Sequence, residues 1–374
     1  MRRNRPSEIG VQDASNGMQK RNENANGSGE IDFVLLWVDG SDSEWQASKR
    51  LWKKENGGPN PAADPEKDEQ NGALRYRDNG LLRYWFRAVE QFAPWVHCVF
   101  FVTYGQKPAW LDESYPKLRL VSHAEFMPPE YLPTFNCNPI HFCLHHIPDL
   151  AEHFVLFDDD MFLLRPVGPE TYFHGGFPVL DASLRPMGFI WDRHWLRTIH
   201  NNTYEINSHF DMHRQVRANR GKWFDLRALG ALRASTNFVY WLLNGKLPGK
   251  DYGHLPLPHL KSTFGDLWQS CPETLERTCR SRFRSHDQVS QWLATAWNLA
   301  TGRFHPTARP HGDGSVLLVD RTTVDAACSA IRTQKFPQVC LNDSIGTDES
   351  IECFSRIRHA FDEILPGKSP FEKD

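Results

Sequence analysis

The stretch His153-Phe-Val-Leu-Phe-Asp158-Asp159-Asp160-Met161-Phe162 joins a short apolar run to three consecutive carboxylates. An apolar run of this length, bounded by polar residues, is typical of a buried strand. The sequence therefore predicts that the acids lie at the carboxyl end of a strand, where open α/β sheets bind ligands. Adjacent carboxylates repel one another unless a cation lies among them, and a divalent ion is the usual partner. A solvated loop or a helix N-cap is the alternative interpretation.

A second predicted strand ends in the same way. The apolar run Ile31–Val38 leads into Asp39-Gly40-Ser41-Asp42. Glycine suits a chain that bends tightly or approaches another group closely. An ordinary Asp-Gly turn, with Asp42 capping a helix over residues 44–54, explains the capping. It does not explain why two strands end in carboxylates.

Apolar runs and helical patterns alternate along the rest of the chain. We expect a helix over residues 81–92 and strands over 96–103 and 118–122, and this alternation predicts an α/β sheet. Asn342 and Asp343 follow another short apolar run and form a third strand end with oxygen ligands. Residues 166–230 have no sustained period and are interpreted as insertions that cover the sheet.

Basic residues precede two predicted helices. Arg75 and Arg77 come before the helix at 81–92. Arg284, which is followed by the acidic residue Asp287, comes before a helix predicted over 288–301. Guanidinium groups near the N–H groups of a helix N-terminus can bind phosphate. Surface salt bridges are the alternative interpretation.

Two histidines are candidates for a general base. His254 and His259 lie in a segment whose alternating prolines favour an extended backbone, and imidazole titrates near neutral pH. A hydrogen-bonded structural role is the alternative for each. His141 and His145 have the i, i+4 spacing of zinc ligands, but no third ligand is evident and we expect a structural role.

The composition excludes several classes of protein. The net charge of -3, from 43 basic and 46 acidic residues, is not that of a nucleic-acid-binding protein. No apolar run approaches the roughly 20 residues of a membrane span, and no secretory signal is evident. The eight cysteines lack CxxC spacing, which favours reduced thiols. We expect a cytoplasmic enzyme with a disordered tail over residues 1–29 and one catalytic domain over residues 30–372.

The candidate residues favour one type of chemistry. Hard oxygen ligands select Mg²⁺, with Mn²⁺ as the alternative, over zinc. A divalent cation together with arginines can hold a diphosphate and neutralise its leaving group. The residues alone therefore predict a metal-dependent transferase that acts on a nucleotide diphosphate.

The chain also resembles the Stealth family of sugar-phosphate transferases. Four regions carry the resemblance: residues 31–42, residues 75–163 with Arg75-Tyr-Arg-Asp-Asn-Gly80 and Leu132-Pro-Thr-Phe-Asn136, residues 253–303, and residues 340–372 with Cys340-Leu-Asn-Asp343. Two positions depart from the family pattern. Asp158 stands where the family usually has Asn, and Cys137 where it usually has Ser.

The resemblance implies a fold like that of glycosyltransferase A enzymes, a sheet flanked by helices. It implies transfer of a hexose-1-phosphate, such as N-acetylglucosamine-1-phosphate, from a UDP-hexose to a saccharide acceptor. UMP would leave, and the product would belong to capsular or exopolysaccharide synthesis. The lack of a signal or span, together with the length, favours an enzyme of the bacterial cytoplasm whose membrane association is at most peripheral.

The resemblance also suggests roles for individual residues. The metal ligands would be Asp159 and Asp160, with Asn342 and Asp343. The phosphate would be neutralised by Arg75, Arg77 and Arg284, and the base would be His254, with His259 in reserve. Asp39 and Asp42 would organise the donor pocket, Asp287 would bind the substrate, and Asn136 would contact the donor or the metal.

Three other functions remain open. A metal-dependent glycosyltransferase would release UDP rather than UMP. A non-catalytic nucleotide-sugar-binding protein would bind the donor without turnover. A metallohydrolase of nucleotide sugars would act at full rate without an acceptor.

Overall fold

The computed structural model describes residues 29–55, 71–184, 194–250, 252–308, 314–343 and 347–373. The strands are β1 (Ile31–Leu36), β2 (Val99–Thr103), β3 (Leu118–Ser122), β4 (His153–Phe157), β5 (Met161–Leu163), β6 (Phe173–His174), β7 (Phe177–Asp181), β8 (Leu257–Leu260), β9 (His305–Thr307), β10 (Ser315–Val319) and β11 (Gln338–Asp343).

The helices alternate with these strands and also form a helical insertion between β7 and β8. They are α1 (Ser43–Glu55), α2 (Leu82–Phe92), α3 (His123–Phe126), α4 (Cys137–Cys143), α5 (His194–His209), α6 (Met212–Ala218), α7 (Arg220–Trp223), α8 (Leu226–Leu243), α9 (Lys261–Ser270), α10 (Pro272–Cys279), α11 (Trp292–Thr301), α12 (Val324–Arg332) and α13 (Thr347–Ile364).

The main sheet has five strands in the order β3-β2-β1-β4-β8. The first four run parallel, and β8 pairs antiparallel with β4 at the edge. The predicted α/β sheet flanked by helices is therefore confirmed. Two further three-stranded sheets have the orders β10-β11-β5 and β6-β7-β9.

The central strands are apolar on both faces because each face packs against a separate core. Alternate residues of a strand point to opposite faces. Phe33 and Val155 accordingly pack in a core with α2, α12 and α13, while Val34 and Phe154 pack in a core with α4, α9 and α11. This two-sided burial explains why β1 and β4 are continuous apolar runs.

One predicted element boundary is wrong in a way that matters for the site. The helix expected over residues 288–301 begins only at Trp292. Gln288 is buried, and its side chain bonds the carbonyl oxygen of Phe283 and the amides of Asn136 and Asn138, which holds this segment in turns. Arg284 therefore does not lie at a helix N-terminus.

One prediction lies almost entirely outside the described residues. The predicted disordered tail over residues 1–29 falls in residues 1–28 except for its last residue. Among the described residues, no helix combines the length and the apolar character needed to cross a membrane.

Gly40 lies where two segments of the chain meet without room for a side chain. A Cβ atom at Gly40 would be 1.9 Å from the carbonyl oxygen of Tyr76. We expect Gly40→Ala to lower the free energy of unfolding by roughly 1–3 kcal/mol, because backbone must move to relieve the overlap. Urea unfolding would measure the change.

Gly265→Ala is the matched control for this substitution. Gly265 lies within α9, and a Cβ atom added there would meet no neighbouring atom within 4 Å. Alanine favours a helix, so stability should hold or rise by up to about 1 kcal/mol. Equal unfolding midpoints for the two variants would contradict the close approach at Gly40.

Candidate active site

The three acids connect the main sheet to the second sheet. They follow β4 directly, and the chain then enters β5, which pairs antiparallel with β11. The backbone N–H of Leu341 donates to the carbonyl oxygen of Asp160 at 2.8 Å. Asn342 and Asp343, which continue β11, therefore lie on the strand that borders the acids.

Strand pairing also brings His254 to the acids. In the antiparallel pair of β4 and β8, Leu156 lies opposite Leu257, so the residues that precede β8 extend alongside those that follow β4. His254 Nε2 is 3.1 Å from Asp158 Oδ2, and Nδ1 is 3.9 Å from Asp160 Oδ2. The imidazole thus bridges the first and third carboxylates.

The ionisation of these groups reflects their mutual charges. Desolvation would lower the pKa of His254, but the charge of Asp160 and the hydrogen bond and charge of Asp158 outweigh it and raise this pKa to about 9. Desolvation raises the pKa of Asp158, yet the hydrogen bond and charge of His254 bring the net shift downward. Desolvation, together with the charges of Asp160, Asp158 and Asp78, raises the pKa of Asp159 well above its usual range.

Cys340 completes this cluster and was not predicted from the sequence as a site residue. Its Sγ donates to Asp160 Oδ2 at 3.2 Å and lies 3.3 Å from His254 Nδ1. Desolvation and the charge of Asp160 raise the pKa of the thiol well above its usual range, which favours the protonated form. The available signal was its position directly before Leu341-Asn342-Asp343.

The carboxylates have the features of a cation site. Asp160 Oδ1 is buried and has no hydrogen-bond partner in the described part of the chain, and Asp159 and Asp160 are adjacent carboxylates that repel each other. Oxygen ligands from Asp159 and Asp160 suit a hard divalent ion. Asp160, His254 and Cys340 also offer ligand atoms within 4.8 Å of one another, a mixed set that suits a softer ion.

The three predicted arginines lie around this cluster. Arg284 and Asp158 interact electrostatically, and so do Arg75 and His254. Arg77 Nη1 lies 3.3 Å from Asp343 Oδ2. The same carboxylate oxygen accepts a hydrogen bond from Asn79 at 3.3 Å, so Asp343 is already engaged by protein donors.

Acidic residues of the first two regions reach the same part of the molecule. Asp78, which the sequence pattern does not mark as a site residue, interacts electrostatically with both Asp39 and Asp159. Its Oδ1 accepts from the N–H of Gly80, while α2 has Leu81 at its N-cap without a side-chain cap. Asp39 accepts two hydrogen bonds from Ser41.

Asp42 and Asp287 form hydrogen bonds with residues that are close to them in the sequence. Asp42 Oδ1 accepts from the N–H of Trp45 at 2.7 Å, which is the capping geometry of the alternative interpretation. Asp287 is exposed and accepts a hydrogen bond from Ser285.

Two other predicted site residues are buried inside the protein. His259 is fully buried in β8 between the rings of Phe154 and Phe264, and burial lowers its pKa to about 3. Asn136 is only 2% exposed, and its amide donates to the carbonyl oxygens of Ser281 and Phe283 and to Gln288 Oε1. Asn136 therefore positions the loop that carries Arg284.

Comparisons with known proteins agree with the arrangement of these regions. The family model for Stealth protein conserved region 1 matches residues 29–57, and the model for Stealth protein conserved region 2 matches residues 75–178. These are the first two of the four regions recognised in the sequence.

Several bacterial proteins are similar over nearly their whole length. A capsular polysaccharide phosphotransferase, WcwK of Streptococcus pneumoniae, is 35% identical, over 92% of this chain and 99% of the relative. A receptor polysaccharide phosphotransferase, WefC of Streptococcus oralis, is 36% identical, over 91% and 99%. An exopolysaccharide phosphotransferase, cps2G of Lactiplantibacillus plantarum, is 32% identical, over 92% and 96%.

Proposed function

The chain belongs to the Stealth protein family, and from this premise we propose that it makes sugar phosphodiesters in cell-surface polysaccharide synthesis. Its relatives are named as capsular, receptor and exopolysaccharide phosphotransferases, which supports a transferase of phosphorus-containing groups. The proposed donor is a UDP-hexose such as UDP-N-acetylglucosamine, and the acceptor is a saccharide hydroxyl.

The proposed reaction is a substitution at the phosphorus distal to uridine. The acceptor oxygen forms a new bond to this phosphorus, the bond from phosphorus to the bridging oxygen breaks, and UMP leaves with that oxygen. The acceptor proton passes to His254. The observation that carries this assignment is the imidazole held against Asp158 and Asp160, 3.1 Å and 3.9 Å from their carboxylate oxygens, beside the arginines.

Asp159 and Asp160 would hold Mg²⁺, or Mn²⁺ in its place, with Asn342 near them on β11. The bound cation would neutralise the diphosphate and stabilise the leaving UMP. Asp343 is the weaker candidate ligand because Arg77 and Asn79 already occupy its Oδ2. His254 acts as a base only when its imidazole is neutral. Neutralising Asp160 would remove the largest effect that raises its pKa.

Arg284 and Arg75 are proposed to contact the donor phosphates. Guanidinium groups present several N–H donors in a plane and match phosphate oxygens. The backbone of Arg284 is held in place by Asn71, because the side-chain Oδ1 of Asn71 accepts a hydrogen bond from the backbone N–H of Arg284 at 3.1 Å. Asp39 and Asp78 are proposed to face the donor sugar or uridine, where their carboxylate oxygens can accept hydrogen bonds from hydroxyl groups.

We propose a cytoplasmic location because of the state of the thiols. All eight cysteines are free, and six of them are buried. Unpaired thiols of this number are typical of proteins in reducing compartments.

The released nucleotide is the direct test of the proposed reaction. We expect the purified protein, with Mg²⁺, a UDP-hexose and a saccharide acceptor, to release UMP and phosphodiester in equal amounts. Chromatography of the nucleotides and mass spectrometry of the product would measure both. Release of UDP would instead identify a glycosyltransferase. Formation of sugar phosphate at the full rate without an acceptor would identify a hydrolase, and donor binding without turnover would identify a non-catalytic protein.

The assignment of the metal ligands predicts a difference between adjacent carboxylates. Asp160→Asn should weaken Mn²⁺ binding by more than about tenfold, because it removes a charged ligand atom. Asp158→Asn is the matched control. Its effect should be smaller, because Asp158 bonds His254 and the family usually has Asn at this position. Titration followed by electron paramagnetic resonance would compare them, and equal losses of affinity would reject the assignment.

The two candidate bases are separated by their positions. We expect His254→Gln to reduce kcat by about 10²- to 10⁴-fold, with a much smaller effect on the KM for the donor, because it removes proton transfer. His259→Gln should instead lower stability and leave the pH profile of kcat unchanged, since His259 is fully buried. A change of pH profile in the His259 variant alone would reverse the assignment.

A further inference from the structure

The helical insertion exposes apolar and basic side chains together. We define the α6–α8 surface by the exposed residues Leu226, Leu232, Val239, Leu242 and Leu243 of α8 and by Arg214, Arg217, Arg220 and Arg227. Single exposed apolar residues are ordinary, but a contiguous set usually marks an interaction site. None of these residues belongs to the proposed reaction centre.

Helix α8 has a kink at Gly230, where the backbone is not helical, and beyond this kink the side that faces solvent is apolar. Ala234 and Asn237 are buried against the protein. With 3.6 residues per turn, Leu232, Val239 and Leu243 share the opposite side, and they are 81%, 53% and 73% exposed. An apolar helix side that is left in solvent often marks a contact with another surface.

The charge of this region identifies the kind of partner. Residues 194–250 contain nine Lys or Arg and three Asp or Glu, in a chain whose net charge is -3. Lys222 and Lys250 bond Gly302 and Asp181 within the protein. By contrast, Arg214, Arg217, Arg220 and Arg227 form no ion pair within the described ranges of the chain.

We propose that the α6–α8 surface binds a membrane surface rich in anionic lipids. Leucine and valine side chains would enter the boundary between headgroups and acyl chains, and the arginines would contact lipid phosphates. A second copy of the chain would also cover the apolar side. It would, however, bring two sets of uncompensated arginines together, which charge repulsion disfavours.

The insertion is also connected to the reaction centre. The side-chain amide of Asn201 on α5 donates to the carbonyl oxygens of His286 and Gln288 at 2.9 and 2.7 Å. These residues follow Arg284 in the same loop. Membrane binding through α6–α8 would therefore fix the orientation of the reaction centre relative to the membrane.

Vesicle co-sedimentation of the full chain would test the proposal. We expect binding to vesicles of phosphatidylglycerol and phosphatidylcholine, at least about tenfold weaker binding to phosphatidylcholine alone, and loss of binding in high salt. Hydrogen exchange of the wild-type protein should show new protection over residues 226–243 when anionic vesicles are added. No substrate is needed, so the result is independent of the proposed reaction.

Two double variants and a control separate the contribution of the arginines to vesicle binding from that of the apolar side chains. Arg214→Glu with Arg217→Glu, and Leu232→Glu with Val239→Glu, should each reduce binding at least about tenfold. The control is Arg119→Glu with Ile351→Glu, exposed residues on β3 and α13, and it should bind as the wild type does. Circular dichroism would verify folding.

Three results would overturn the proposal. The first is absence of vesicle binding by the wild-type protein, and the second is equal binding to neutral and anionic vesicles. The third is a dimer in light scattering that Leu232→Glu with Val239→Glu dissociates, without vesicle binding by the wild type. That last result would make the α6–α8 surface an interface between two copies.

Discussion

Mutual repulsion among Asp158, Asp159 and Asp160 is the constraint on which the site depends. Burial of β4 on both faces fixes the chain that presents them, so the acids cannot move apart without disrupting two cores. His254 compensates Asp158 and Asp160. Asp159 has no comparable cation beside it among the described residues, and its pKa is raised well above the usual range. Stability from the two cores thus holds three adjacent carboxylates together despite their mutual repulsion.

Segments that are distant in the sequence hold the surrounding groups in position. Trp45, Tyr76 and Phe135 form a small buried cluster, and the Tyr76 hydroxyl donates to the carbonyl oxygen of Phe135. The N–H of Phe135 in turn donates to the carbonyl oxygen of Arg282, two residues before Arg284. Packing of the first region against the second therefore also positions the third. The close contact between Gly40 and Tyr76 therefore also affects the position of the loop that carries Arg284.

The parts of the site that follow from a local sequence pattern could be predicted. The ends of β1 and β4 were predictable because apolar runs stop at carboxylates, a feature visible within ten residues. The residues alone left the choice between His254 and His259 open, because both lie in the same proline-rich segment, and the resemblance placed His254 first. Only the pairing of β8 with β4 shows that His259 lies within the sheet opposite Phe154, while His254 extends past its end. Cys340 was missed for a similar reason, because its contact with Asp160 joins residues 180 positions apart.

The distribution of charge over the molecule is another property that the composition alone does not give. A value of -3 suggests a weakly charged protein, yet it is the sum of an acidic majority and a basic helical insertion. Opposite charges on a flexible chain would pair with each other. Here the acids of the candidate site follow strand ends, whereas Arg214, Arg217, Arg220 and Arg227 lie in the helical insertion. The distribution of charge over the molecule is therefore an effect of the fold and not of the amino-acid content.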